Sequence, residues 1–332
     1  MAPAWLREEI TAAGGAIPFE RFMDLALHHP LHGYYARRIH SVGPRGDFAT
    51  SATLSPVLAR AIAAWILSQP RLLPIIEVGA GDGSLAHSLR AALPWRVRIR
   101  LRHHIVETSA PLAAKQARLL GSRVRWHTSM QAALHHCGGE ALIFHNELVD
   151  AFPVARWQRG LGLWRELGVS ASSNNELGPV LLAPGRPNTL AAAWLLPEGQ
   201  IIESHASFRT WLAGWRAAWS GGAMLTIDYG AADPSIYARQ PHGTLRGFLL
   251  HQRVDGPAIY QNVGRQDLTA DVNFSDLVRW GSELGLETTR LLHQAEFLHA
   301  HARSARDRAL ADPQGAGGAF MVLEQRAAPL PG

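Results

Sequence analysis

The sequence is poor in the residues that would mark several functional classes. It has one cysteine, Cys137, in 332 residues, which excludes an internal disulfide and fits a reducing compartment. It has one lysine, Lys115, among 32 basic residues, the other 31 being arginines. These are dispersed rather than run together, so the formal charge of +5 reads as a compositional bias and no nucleic-acid partner is expected. No apolar run approaches the roughly 20 residues that span a bilayer, so no membrane insertion is expected. His-Glu-x-x-His and Cys/His clusters are missing, and the pairs His28-His29, His103-His104 and His135-His136 are adjacent. Neighbours cannot share one face of a strand or helix, so no metal is expected. The start, Met-Ala-Pro-Ala-Trp-Leu-Arg-Glu-Glu, lacks a charged stretch followed by an apolar core. No signal or transit peptide is expected, and the expected location is cytoplasmic. Hydrophobic residues at 47% and charged residues at 18% are ample for a large core, in one α/β domain with insertions or in two domains.

What is present centres on Ile75-Ile76-Glu77-Val78-Gly79-Ala80-Gly81-Asp82-Gly83-Ser84-Leu85. An apolar strand ends in three alternating glycines and leads into an amphipathic segment with Leu85, Leu89 and Ala92 on one face. Strand, glycine turn and helix make a nucleotide-type crevice, because glycine lets the backbone approach a ligand. A dinucleotide fingerprint needs a third glycine where Ser84 stands. The pattern E-x-G-x-G-x-G instead resembles motif I of class I methyltransferases, which use S-adenosylmethionine. That motif marks Glu77, Gly79, Ala80, Gly81 and Gly83 as cofactor-binding candidates. The next strand, Leu101 to Val106, ends in Glu107, and an ionised carboxylate there can accept hydrogen bonds from both ribose hydroxyls.

Periodicity predicts helices at Trp5–Ala13 and Pro18–His29, then one carrying Val57, Leu58, Ala61, Ile62, Trp65 and Ile66. Strand and helix signals then alternate: Ile75–Val78, Leu85–Leu93, Leu101–Val106, Leu112–Leu120, Val124–His127 and Ala141–His145. That alternation argues for a parallel sheet with helices on both faces. Val154 to Glu203 and Gly230 to Asn273 read as irregular strands and loops. A helix at Ser204–Trp219, a strand at Ala223–Tyr229, a helix from Phe274 and a strand at Ala319–Leu323 complete the pattern. Asn273 or Ser275 is the expected cap of the Phe274 helix, with Gly285 at its end. The expected division is an N-terminal helical lid region, 1–70, and a cofactor-binding core, 71–332, with insertions at about 154–203 and 230–273.

A second constellation follows the strand Ala141-Leu-Ile-Phe-His145. It runs into Asn146, Glu147 and Asp150 and stops at Pro153. Ligands of open α/β sheets sit beyond the carboxyl ends of the strands, so these polar groups face the crevice.

Several further segments stand in a fixed order around these two. They are Gly33-Tyr34-Tyr35, Gly46-Asp47-Phe48-Ala49-Thr50-Ser51, Asn146-Glu147-x-x-Asp150-Ala151-x-Pro153-Val154, Ile227-Asp228-Tyr229-Gly230, Gly243-Thr244-Leu245-Arg246-Gly247 and Asp267-Leu-Thr-Ala-Asp271-Val-Asn-Phe274. The set resembles the MidA family, whose mitochondrial member is a complex I assembly methyltransferase, from about residue 8 to the last strand. The resemblance implies a class I methyltransferase fold, Rossmann-like, with a seven-stranded mostly parallel sheet and insertions after strands 4 and 5. It also implies S-adenosylmethionine as cofactor, with Gly46, Thr50, Ser51 and Asn146 added to its contacts. The implied acceptor is an arginine of a partner protein, such as a respiratory complex I subunit. The oligomeric state is left open, a homodimer being one option. The family usually continues Gly-Asp-Phe-x-Thr-Ser with Pro-Glu, and here those positions are Ala52 and Thr53.

The acceptor's chemistry explains the acids. Arginine has a pKa near 13, so a neutral guanidine at pH 7 costs about 8 kcal/mol. A carboxylate can instead hold the guanidinium planar and bidentate, leaving one nitrogen to attack. Glu147 is the first choice for that clamp, Asp150 the second and Asp47 the third, with Asn146 beside them and His251 a conceivable proton acceptor. Two other readings stay open. One is a non-catalytic assembly factor that binds S-adenosylmethionine, which the Ala52-Thr53 departure supports. The other is an NAD-dependent enzyme, which Ser84 disfavours.

Overall fold

The computed structural model describes residues 2–37, 56–250, 252–300, 312 and 316–327. In chain order its strands are β1 (Ala16–Pro18), β2 (Ile75–Val78), β3 (His103–Val106), β4 (Val124–His127), β5 (Leu142–Asn146), β6 (Ala155–Gly160), β7 (Leu163–Ala171) and β8 (Leu177–Gly185). Then follow β9 (Ile201–Ser204), β10 (Ala223–Ala231), β11 (Arg246–Leu249), β12 (Gln252–Val254), β13 (Asp267–Thr269), β14 (Val272–Asn273), β15 (Leu286–His293) and β16 (Phe320–Ala327). The described chain divides into two compact units, each built from segments distant in sequence.

One unit combines the N-terminal residues with 149–210 and 232–276. The two stretches expected as irregular strands and loops hold regular antiparallel pairings. β1, β7, β6 and β9 pair antiparallel in that order, with β8 on the other side of β7. β12, β11 and β13 form a second antiparallel sheet. The β6–β7 hairpin turns on Leu161 and Gly162, at φ 54° and 73°. A two-residue loop with both centres left-handed matches strand twist, but leucine at the first centre hides the signal in sequence. Helix Phe19–His28 follows Pro18 and buries Phe19, Phe22, Met23, Leu25, Ala26 and Leu27. Phe19 and Phe22 pack with Tyr260, and the Arg156 guanidinium lies 5.2 Å above the Phe19 ring.

The other unit holds 56–148, 211–231 and the described residues from 277 onward. Seven strands run in one path, β15-β16-β10-β5-β2-β3-β4. β10, β5, β2, β3 and β4 pair parallel, while β16 is antiparallel to both its neighbours. The sheet counts eight strands, with a short addition off that path, so the expected seven is one too few. β2 and β5 are fully buried apart from Asn146, so they read as near-continuous apolar runs. β15 has no counterpart in the sequence reading. It is an edge strand with mixed exposure along its length, and an edge needs no apolar run. Helix Val57–Ser68 packs Val57, Leu58, Ala61, Ile62, Trp65 and Ile66 into a core with Ile75, Leu89, Phe144 and Leu225. Three parallel strands, β2, β3 and β5, therefore bring their carboxyl ends to one edge. The order reverses at β2, whose neighbours are β3 and β5, and such a reversal opens a crevice.

Elsewhere the boundaries shift by a residue or two, except that helix Ala206–Arg216 stops short of the expected Trp219 and β16 runs past the expected Leu323 to Ala327. Helix Phe274–Glu283 is capped by Asn273, whose Oδ1 accepts from the Ser275 amide at 3.1 Å. Gly285, at φ 72°, follows its end. Histidines distant in sequence meet across neighbouring strands. His104 Nδ1 and His127 Nε2 lie 2.9 Å apart across β3 and β4. Among the described residues no group of three or more His, Cys, Asp or Glu could hold a metal.

Candidate functional site

The glycine turn after β2 needs its glycines. Gly79, Gly81 and Gly83 have φ of 67°, 55° and 85°, conformations that cost other residues about 1–2 kcal/mol each. A Cβ on Gly79 would lie 2.9 Å from Leu148 Cδ1. The Gly83 amide donates to the Ala80 carbonyl at 2.9 Å, and Asp82 Oδ1 accepts from the Ser84 amide at 2.9 Å. Helix Ser84–Ala92 starts directly after this tight turn. Glu77 lies on β2 itself, 2% exposed, with His103 Nε2 3.4 Å from its carboxylate. Ala80, at the centre of the turn, is buried.

Glu107 follows β3. Its Oε1 accepts from the Ser109 amide at 2.8 Å and its Oε2 from Gln116 Nε2 at 3.0 Å. Burial pushes its pKa up, opposed by the Ser109 amide, the Gln116 side chain and the Thr108 amide. Gln116 was not marked by the sequence reading. The available signal was a polar residue between Leu112 and Leu120 on the buried stripe of helix Ala110–Leu120.

β5 ends at Asn146, and Glu147 follows it. The Glu147 amide donates to the Ile227 carbonyl at 2.9 Å, and Asn146 Nδ2 donates to Glu147 Oε1 at 3.1 Å. Glu147 has φ 51°, the left-handed region that disfavours a side chain. Such strain persists where the surroundings over-determine it, and it clusters at functional sites. The following amide, Leu148, donates to Asp228 Oδ2 at 3.1 Å, and Asp228 Oδ1 accepts from the Tyr229 amide at 2.9 Å. Asp228 thus holds the residue after Glu147. Sequence reading placed it in a motif without giving it that task.

The first unit gathers the remaining family-like segments. Asp150, on the turn Val149–Ala151, is buried and accepts from Thr269 Oγ1 at 2.9 Å. Burial pushes its pKa up to about 6, against the Thr269 hydroxyl and the Arg246 charge. Arg246 pairs with Asp271, and the Tyr35 hydroxyl donates to Asp267 Oδ1 at 3.2 Å. Gly243, at φ 78°, lets Glu203 approach: a Cβ there would lie 2.1 Å from Glu203 Oε1. Glu203 in turn accepts from Arg156 Nε at 3.1 Å and from the Thr244 amide at 3.0 Å.

The structure therefore brings together Gly79, Ala80, Gly81, Gly83, Glu107, Asn146 and Glu147 within one unit, with Glu77 beneath them on its strand. Asp150 belongs to the other unit and its own network. Gly46, Asp47, Thr50, Ser51, Ala52, Thr53 and His251 lie outside the described residues. The donor set suits an adenosine ligand: a backbone cradle that side chains would fill, and a carboxylate with both oxygens engaged by donors and acceptor capacity left for a diol.

Comparison with known proteins agrees. Residues 57–292 match the family described as "Putative S-adenosyl-L-methionine-dependent methyltransferase". The chain is 27% identical over 310 residues to the Danio rerio protein arginine methyltransferase NDUFAF7, mitochondrial, covering 80% of this chain and 68% of that one. The Homo sapiens protein of that name is 25% identical over 308 residues, covering 80% and 65%. Among solved structures, a Burkholderia thailandensis superfamily member bound to S-adenosyl-homocysteine superposes with a TM-score of 0.84. Identity there is 28%, covering 99% of this chain and 92% of that one.

Proposed function

The chain belongs to this S-adenosyl-L-methionine-dependent methyltransferase family, and from that premise we propose that it methylates an arginine side chain of a partner protein. The relatives named protein arginine methyltransferase support the acceptor class. A subunit of a respiratory complex is the partner implied by the family resemblance, met in the cytoplasm. No helix among the described residues is long and apolar enough to cross a membrane.

The observation that carries the reading is Glu147: a carboxylate held in a left-handed conformation at the carboxyl end of β5, on the same edge as the glycine turn. When bound, the cofactor supplies an electrophilic methyl group on its sulfonium. The chain's own residues do the rest. The turn at Gly79–Gly83 admits the cofactor close to the backbone, and Glu107 takes the ribose hydroxyls. Glu147, oriented by the Asn146 side-chain amide, would hold the guanidinium bidentate so that one nitrogen faces the methyl group; as the N–C bond forms and the S–C bond breaks, that nitrogen's proton would leave to solvent. Much of the acceleration then comes from alignment. Asp150 and Asp47 remain the second and third carboxylates for that role. A helical lid region, 1–70, and a cofactor-binding core, 71–332, remain our proposed functional division.

The test is transfer of labelled methyl groups to the partner protein. Glu147→Gln should keep S-adenosyl-homocysteine affinity within about threefold and remove most transfer. Full activity in the variant would remove Glu147 from the clamp. The Ala52-Thr53 departure favours a second reading, a cofactor-binding assembly factor. A wild-type protein that binds cofactor yet methylates no confirmed partner would establish it.

A further inference from the structure

Gln116 is 0% exposed. A buried amide costs free energy unless its groups are paired, and here they are. Nε2 donates to the Gly81 carbonyl at 2.9 Å and to Glu107 Oε2 at 3.0 Å, while Oε1 accepts from the Trp126 indole at 2.9 Å. The partners settle which way the amide points, because a carbonyl and a carboxylate only accept and an indole N–H only donates. One side chain therefore joins the glycine turn after β2, the carboxylate after β3, and β4. The Ser109 amide holds the other Glu107 oxygen at 2.8 Å. With both oxygens engaged by donors, the plane of the carboxylate is set before any ligand arrives.

We propose that Gln116 is the positioning residue for ribose recognition, orienting the Glu107 carboxylate and the Gly81 carbonyl so that the protein prefers an intact 2′,3′-diol. The inference rests on the cofactor assignment and adds the residue that makes the site selective. Gln116 touches no substrate in this role. It acts through Glu107 and the turn, with Trp126 locking the amide. Leucine at 116 would keep the volume and leave Glu107 held by backbone amides alone, with its Oε2 no longer fixed by Gln116. Glutamate at 116 would set a second carboxylate against Glu107.

The test is calorimetric affinity for S-adenosyl-homocysteine and its 2′-deoxy and 3′-deoxy analogues, in wild type, Gln116→Leu and Trp126→Phe. Wild type should prefer the intact ribose by about tenfold or more, the scale of a hydrogen bond to a charged group. Gln116→Leu should lose that preference, binding all three ligands to within about threefold, while the deoxy analogues bind nearly as they do to wild type. Trp126→Phe should fall between. Equal weakening of all three ligands by Gln116→Leu would make the residue merely structural and overturn the proposal. If Gln116→Leu does not fold, unchanged preference in Trp126→Phe overturns it. Failure of wild type to bind S-adenosyl-homocysteine would instead strike the cofactor assignment, a distinguishable result.

Discussion

Glu147 offers a test in which stability and activity separate. Its φ of 51° places a long side chain in the left-handed region. Alanine and glycine at this position both remove the carboxylate and its bond from Asn146 Nδ2. Whatever that bond contributes, about 0.5–1.5 kcal/mol, is lost equally in the two variants. They differ in the backbone alone. At an ordinary position glycine is less stable than alanine by roughly 0.5–1 kcal/mol, because its unfolded chain is freer. At a left-handed position alanine carries about 1–2 kcal/mol of steric cost that glycine escapes. Subtracting one from the other leaves Glu147→Gly more stable than Glu147→Ala by up to about 1.5 kcal/mol, centred near 0.75, a reversal of the usual order. Urea unfolding of the two variants side by side reads this difference. Methyl transfer should be lost in both. Alanine proving the more stable would refute the strained geometry. Activity surviving in either would refute the clamp, whatever the stabilities.

Glu107→Ala should weaken S-adenosyl-homocysteine binding by about 1.5–3 kcal/mol, read by calorimetry; an unaltered dissociation constant would remove Glu107 from the site. Arg156→Ala should destabilise by about 3–5 kcal/mol, because it strands Glu203 as a buried charge without its partner, and denaturant unfolding measures it. Acid should destabilise the protein well above the carboxylate range. Burial lowers the pKa of His104 and His205 to about 4 and of His145 to about 3. Below about pH 6.5 the unfolded chain binds protons that these rings refuse, so each contributes about 1.4 kcal/mol of lost stability per pH unit until its folded pKa is reached. Asp150, pushed up to about 6, acts in the opposite sense between about 4 and 6 and offsets part of this. Stability flat between pH 6.5 and 4.5 would contradict the buried neutral histidines.

The local backbone of the candidate site is legible in the sequence. Three glycines at alternate positions permit a left-handed turn that other residues would strain, and all three adopt it. The strands β2 and β4 keep their predicted bounds, because a short apolar run between polar ends has few alternatives. Glu107 and Glu147 stand out by position, each being the first acid beyond a buried strand, and their roles remain our proposal. What sequence could not supply were partners distant along the chain. The Asp228 carboxylate holds the Leu148 amide across 80 residues, and nothing in either segment announces it. Gln116 reads as an ordinary helix glutamine until β4 brings the Trp126 indole to its oxygen. The two stretches read as irregular strands and loops hold regular antiparallel pairings, because strand pairing depends on a complementary edge rather than on one segment's own pattern. The family-like segments around Tyr35, Asp150, Arg246 and Asp267 shared only an order in the sequence. Tertiary folding collected them into one unit and left Glu147, three residues before Asp150, in the other. Sequence determines which backbone conformations and charges are available; only the packed chain decides which of those charges meet, because burial turns a weak contact into one that must be satisfied.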